Sequence, residues 1–223
     1  PELKPRIADV SRDSARQLLT LGSRFLLLSV LTSSALNADS VIIAARAGAE
    51  AVTTYAVPAR LGSLLGLLIT TVYLPLWSAN GEALMRGDHA WVRKSTRRMS
   101  LIGAACVGLV GAAMVLGGDL IIQLWMGRRF EGQLTVLALL SATAVAMAVA
   151  SPPQMILNSL GKTRPQILAW AVFLAITVAG KWMLVGPGSI WMAPLVTALG
   201  YLFIILPATY VASRQAMRHG ENT

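Results

Sequence analysis

Two ionisable residues, Asp39 and Arg60, stand inside long apolar runs. An aspartate so placed can hold a cation, carry a proton or pair with a guanidinium, and an arginine can bind phosphate or carboxylate through two parallel hydrogen bonds. Either costs several kcal/mol in hydrocarbon unless it is paired or faces water, so each marks a candidate site. Polar neighbours gather on the same faces. At 100° per residue, Ser29, Thr32, Ser33, Asn37, Asp39 and Ser40 span a sector of roughly 160°, and Thr53, Arg60, Ser63, Thr70 and Thr71 one of about 100°. Asp39 precedes the turn residue Gly48 by nine positions and Arg60 follows it by twelve, a depth difference of ~4.5 Å between antiparallel helices. The spacing predicts a hydrophilic substrate cavity built from Arg60, Asp39, Asn37, Ser33 and Ser63, in which Arg60 meets an anionic substrate and Asp39 holds Arg60. The competing reading is a structural Asp39–Arg60 ion pair that locks two helices together, with the hydroxyls bonded to backbone carbonyls.

Other chemistries find no residues. Cys106 is the only cysteine and lies in an apolar run, which leaves neither a disulfide nor a thiolate metal site. His89 and His219 are far apart and lack clustered acids, so no metal or cofactor is expected. A membrane-embedded phosphatase or glycosyltransferase would need acids or histidines grouped at a membrane face; none are grouped, and the chain is not expected to be an enzyme.

These residues are carried by elements long enough to cross a bilayer. Hydrophobic residues make up 55% of the 223-residue chain and charged residues 13%, about half the share usual in soluble domains, and the mean hydropathy is +0.63. The fold class expected is all-α and integral to the membrane, a single bundle (residues 21–212) of six transmembrane helices at about 24–45, 53–77, 100–116, 134–157, 166–185 and 190–212. Gly62 and Gly66 in the second span, and Gly103, Gly108 and Gly111 in the third, provide small surfaces for close helix packing. Residues 1–20 read as a cytosolic linker and 213–223 as a cytosolic tail. Residues 78–99 read as a basic cytosolic loop or interfacial helix, with Glu82 four positions before Arg86, a break at Gly87 and an N-cap at Asp88. Residues 117–133 form a re-entry with Trp125, Arg128, Arg129 and Glu131. Ser151-Pro152-Pro153 interrupts the end of the fourth span, and Lys181 near the end of the fifth is expected to snorkel to the headgroups.

The net charge of +9 would suggest nucleic acid in a soluble chain. Here the charges fall between apolar runs, where they set topology, and no nucleic-acid partner is expected. With the N-terminus inside, thirteen of the 19 basic residues lie on the cytosolic side. Four (Arg46, Arg128, Arg129 and Lys181) lie outside, and Arg24 and Arg60 lie within spans. The positive-inside rule thus places both termini in the cytosol. The polar opening at Pro1, with no basic segment followed by an apolar one, reads as neither a signal peptide nor a natural start. The expectation is the C-terminal part of a longer protein.

The run NADSVIIAARAGAEAVTTYAVPARL, followed in order by PLWSANGEALMRGDHAWVRK, LIIQLWMGRRFEG and PPQMILNSLGKTRPQ, resembles the Wzx-type polysaccharide flippases (O-antigen and exopolysaccharide exporters) of the multidrug/oligosaccharidyl-lipid/polysaccharide exporter superfamily. The likeness covers roughly residues 18–212. It implies the C-terminal half of an inner-membrane protein of twelve or more helices, in which two six-helix bundles enclose a cationic cavity. An undecaprenyl-diphosphate-linked oligosaccharide would be the substrate, crossing by alternating access, and membrane lipids and an N-terminal half-bundle would be the partners. Arg60 matches the place of a cavity arginine in such flippases. The alternative is a cation-coupled drug antiporter of the same superfamily, which would use carboxylates for coupling; of these only Asp39 lies in the apolar interior.

Overall fold

In the computed structural model, residues 11–118, 120, 123–124 and 133–221 are described. They are almost wholly helical, with no strand among them. The helices are α1 (Arg12–Ala47), α2 (Ala49–Met85), α3 (His89–Leu116), α4 (Gln133–Ser159), α5 (Arg164–Leu184), α6 (Met192–Gly200) and α7 (Leu206–Glu221), with a π-helical turn, Tyr201–Ile205, joining the last two. Six segments are long and apolar enough to span a bilayer, with mean hydropathy between 1.5 and 2.2. The protein is an all-α bundle of six such helices, suited to a multi-pass membrane protein. Large apolar side chains such as Leu109, Phe203 and Leu64 cover its outside, as expected where the surrounding solvent is itself hydrocarbon.

The helices run longer than the apolar spans alone would suggest. α1 begins at Arg12, so the latter part of the expected linker is already helical. Residues 78–99 are neither a loop nor a separate helix lying on the membrane. α2 continues to Met85 and α3 starts at His89, leaving a turn of three residues. Its chemistry is as the sequence implies: Gly87 adopts φ 75°, Asp88 Oδ1 accepts from the Trp91 amide at 2.9 Å, and Glu82 pairs with Arg86 at 3.3 Å on the exposed surface. The segment bearing Trp125, Arg128, Arg129 and Glu131 lies outside the described residues, as does the start of the chain.

Prolines lie inside these helices rather than ending them. Pro152 and Pro153 are buried within α4, which continues to Ser159. A proline cannot bond the carbonyl four residues back. For Pro153 that carbonyl belongs to Val149, and Ser100 Oγ on α3 donates to it at 3.1 Å; a neighbouring helix thus supplies the donor that the membrane cannot. In the sixth span the π turn ends two residues before Pro207. Widening the coil there relieves the clash between the proline ring and the preceding turn.

α1 packs chiefly on α5, and α4 fills the centre against α2 and α3. Glycines set the closest approaches. A Cβ on Gly103 would fall on the Tyr73 ring and hydroxyl, whose proton is donated to Met99 O at 2.9 Å. On Gly200 it would lie 2.7 Å from Phe173. Phe173, Trp170 and Tyr201 meet edge to face, with ring centroids 5.2–5.7 Å apart. Gly62 packs against Leu140 of α4, whereas Gly66 has open space beside it.

Candidate functional site

Asp39 lies on the buried stripe of α1 with Ala35, Ile42 and Ile43. Its carboxylate does not meet Arg60. Oδ1 is 2.5 Å from Lys181 Nζ on α5, and Oδ2 accepts from the Tyr55 hydroxyl on α2 at 2.6 Å. Three helices are therefore tied at one buried point. Lys181 is 0% exposed, and no further acceptor among the described residues reaches its ammonium. The expected snorkelling of Lys181 to the headgroups is overturned for a geometric reason. Side chains on a helix tilt toward its N-terminus, so a lysine one turn from the end of α5 points back into the bundle. α1 and α5 run in the same direction, and Asp39 lies ~12 Å from the end of α1 and Lys181 ~4.5 Å from the end of α5. The lysine stem covers most of that difference.

The remaining candidates are on the surface. Ser33, Asn37, Arg60 and Ser63 are exposed, as are Ser29, Thr53, Thr70 and Thr71. Locally, Asn37 Nδ2 donates to Ser33 O at 2.8 Å and Ser63 Oγ to Arg60 O at 2.6 Å, so each has one backbone partner on its own helix. Among the described residues no carboxylate forms an ion pair with Arg60. The structure thus separates the sequence-predicted set in two: Asp39 in the interior, the other four outside. The 160° polar sector on α1 is wider than one neighbouring helix can cover. Its Asp39 edge turns toward α5, and its Asn37 edge stays outside.

Tyr55 and Lys181 were missed as members of a buried polar group. A signal existed for the lysine, since Gln166, Trp170, Phe173, Thr177 and Lys181 recur at three- and four-residue spacing, the stripe that α5 buries. The rim at this end is completed by Arg46, whose Nε donates to Val185 O at 3.4 Å while its guanidinium stands 5.8 Å from the Trp182 ring centroid. Among the described residues no three His, Cys, Asp or Glu side chains group as a metal site.

Chemically, the Asp39–Lys181–Tyr55 group is a neutralised, desolvated pair and not an open anion or cation site. The exposed group of α1 and α2 is different. Arg60 stands eleven residues into α2, ~16 Å from its start, inside the apolar span expected at 53–77. An exposed guanidinium within a membrane-crossing segment needs water, another protein surface or an anion, because lipid chains offer it no acceptor. Compared with known proteins, the chain matches no protein family, no curated protein and no solved structure.

Proposed function

We propose that this chain is half of a multi-pass transporter and that the outer faces of α1 and α2 line its substrate path. The observation that carries this reading is Arg60, an exposed guanidinium within a helix long and apolar enough to cross a bilayer, with Ser63 and Thr70 exposed further along the same helix and Ser33 and Asn37 exposed on the adjoining one. A second half-bundle closing over these faces would leave a cationic, water-filled cavity between them. The cargo that suits it is an anion with a polar body. A lipid-linked oligosaccharide on an undecaprenyl diphosphate fits, since guanidinium binds phosphate oxygens in bidentate fashion. It would be flipped across the inner membrane by alternating access, with both chain termini in the cytosol. The resemblance of residues 18–212 to Wzx-type flippases supports the same assignment. For the cation-coupled drug antiporter a titrating carboxylate is required, and Asp39, held by Lys181 and Tyr55, is poorly placed to exchange ions; this weighs toward the anionic cargo.

The test uses single cysteines in a Cys106→Ser background, placed at Ser33, Asn37, Arg60 and Ser63 and, as lipid-facing controls, at Leu109 and Phe203. In intact membranes a charged, water-soluble thiol reagent should label the first four and spare the controls. Absence of labelling at Arg60 and Asn37 would refute a wet path. Transport of a fluorescent prenyl-diphosphate-linked sugar into proteoliposomes should fall by roughly 10–100-fold in Arg60→Ala, the worth of a charge-assisted pair, and recover in part in Arg60→Lys.

A further inference from the structure

At the end of the bundle that carries the α2–α3 turn, a cleft of about 610 Å³ opens between α3, α4 and the sixth span. Its floor is apolar, made by Val149, Pro153, Ile156 and Leu202, and its rim carries Arg97 of α3 and Arg214 of α7, with Arg93 beside them. None of the described lining residues is acidic. We infer that this cleft holds an anionic phospholipid of the surrounding leaflet, its phosphate on Arg97 and Arg214 and an acyl chain along the floor.

Four observations point to that occupant. First, charge: guanidinium groups on two different helices converge on one cleft, the arrangement by which basic pockets between membrane helices select anionic headgroups. Second, depth: α3 is 28 residues long, ~42 Å, which exceeds a ~30 Å hydrocarbon layer by about eight residues. If the excess lies at its basic start, Arg97 stands at the headgroup level while Leu101 and the floor lie in the hydrocarbon. Third, Arg214 is held ready: its guanidinium stacks 4.3 Å from the Tyr210 ring centroid and donates to the Tyr210 hydroxyl at 2.5 Å. Guanidinium groups oriented in advance lose less freedom when they bind phosphate. Fourth, Thr96 lines the cleft, is 9% exposed, and its hydroxyl finds no partner among the described residues. A buried hydroxyl left unpaired is costly, and a lipid phosphate or ester oxygen would accept its proton. The cleft is separate from the α1 and α2 faces argued above to carry cargo, and the inference stands whether or not the chain is a transporter.

The experiment uses the purified protein in detergent, stripped of lipid and then titrated with phosphatidylglycerol, phosphatidylcholine or inorganic phosphate, with bound lipid counted by native mass spectrometry. Arg98 is the internal control, since it sits beside Arg97 in sequence and shares a neighbouring surface depression with it but does not line the cleft. One phosphatidylglycerol should bind more tightly than phosphatidylcholine. Arg97→Gln and Arg214→Gln should each weaken it ~5-fold, and together ~25-fold, while Arg98→Gln leaves it unchanged. Thr96→Val should weaken it less than either arginine change. Three outcomes overturn the inference: equal affinity for both lipids, equal losses in Arg98→Gln and Arg97→Gln, or displacement of the lipid by millimolar phosphate. A cleft filled instead by another protein helix would show the first of these, since its apolar contacts are indifferent to lipid charge.

Discussion

Neutralising one partner of the buried Asp39–Lys181 pair should destabilise the bundle far more than removing the whole group. At the 2.5 Å separation of Oδ1 and Nζ, the attraction at an effective dielectric constant of about 20 is ~7 kcal/mol. Desolvating each ion costs several kcal/mol, so the pair as a whole comes out near zero. Asp39→Asn or Lys181→Met removes the attraction and leaves the other ion buried, at a cost of roughly 3–5 kcal/mol. Replacing both by apolar residues leaves the Tyr55 hydroxyl without its acceptor, so the fair comparison is the triple variant Asp39→Leu, Lys181→Met, Tyr55→Phe. Its stability should lie within ~1.5 kcal/mol of the parent. Reversible SDS unfolding in mixed micelles, followed by tryptophan fluorescence, measures each difference. Single variants within ~0.5 kcal/mol of the parent would show that the two groups are solvated, and a triple variant as unstable as the summed singles would show that packing, not charge, is lost. Either result refutes the reasoning.

Other substitutions probe the packing and the termini. Gly103→Ala should destabilise by ~1–3 kcal/mol, because the new methyl collides with Tyr73 while that side chain is bonded to Met99 O. Gly66→Ala, with open space beside it, should be neutral or slightly stabilising in the same assay. Phe173→Ala, at the centre of the three-ring cluster, should cost about 3–5 kcal/mol. Ser100→Ala removes the donor to Val149 O and should cost ~0.6 kcal/mol, the usual worth of such bonds between membrane helices. Asp88→Ala should cost ~0.5–2 kcal/mol by uncapping α3, and amide exchange at its first turn should speed up.

Much of this architecture is written in the sequence. Hydropathy alone marks the six spans, because a helix is the simplest way for a lone segment to satisfy its backbone inside a bilayer, and ~20 apolar residues are needed to cross one. Local signals are equally direct: the Gly87 break and the Asp88 cap depend only on nearest neighbours along the chain, and both are where the residue types place them. Helix ends are less legible. α1 and α2 extend well past their apolar parts, since polar residues such as Arg16 and Glu82 continue a helix in water as readily as they end one.

Partner choice is decided in three dimensions. Asp39 and Arg60 are close along a hairpin, yet Asp39 finds Lys181, far later in the chain, because α1 packs on α5 and the lysine of a parallel helix leans inward to the same depth. Periodicity fixes which residues share a face of one helix; it does not say which helix that face will meet. The polar residues of α1 therefore divide between an interior charge pair and an outer polar strip, and only the arrangement of neighbours separates the two. The sequence by itself determined that this chain carries six segments long and apolar enough to cross a membrane, since hydrocarbon dictates length and hydrogen bonding segment by segment. The tertiary structure decided which charges neutralise each other and which remain exposed, since that depends on contacts between segments far apart in the chain.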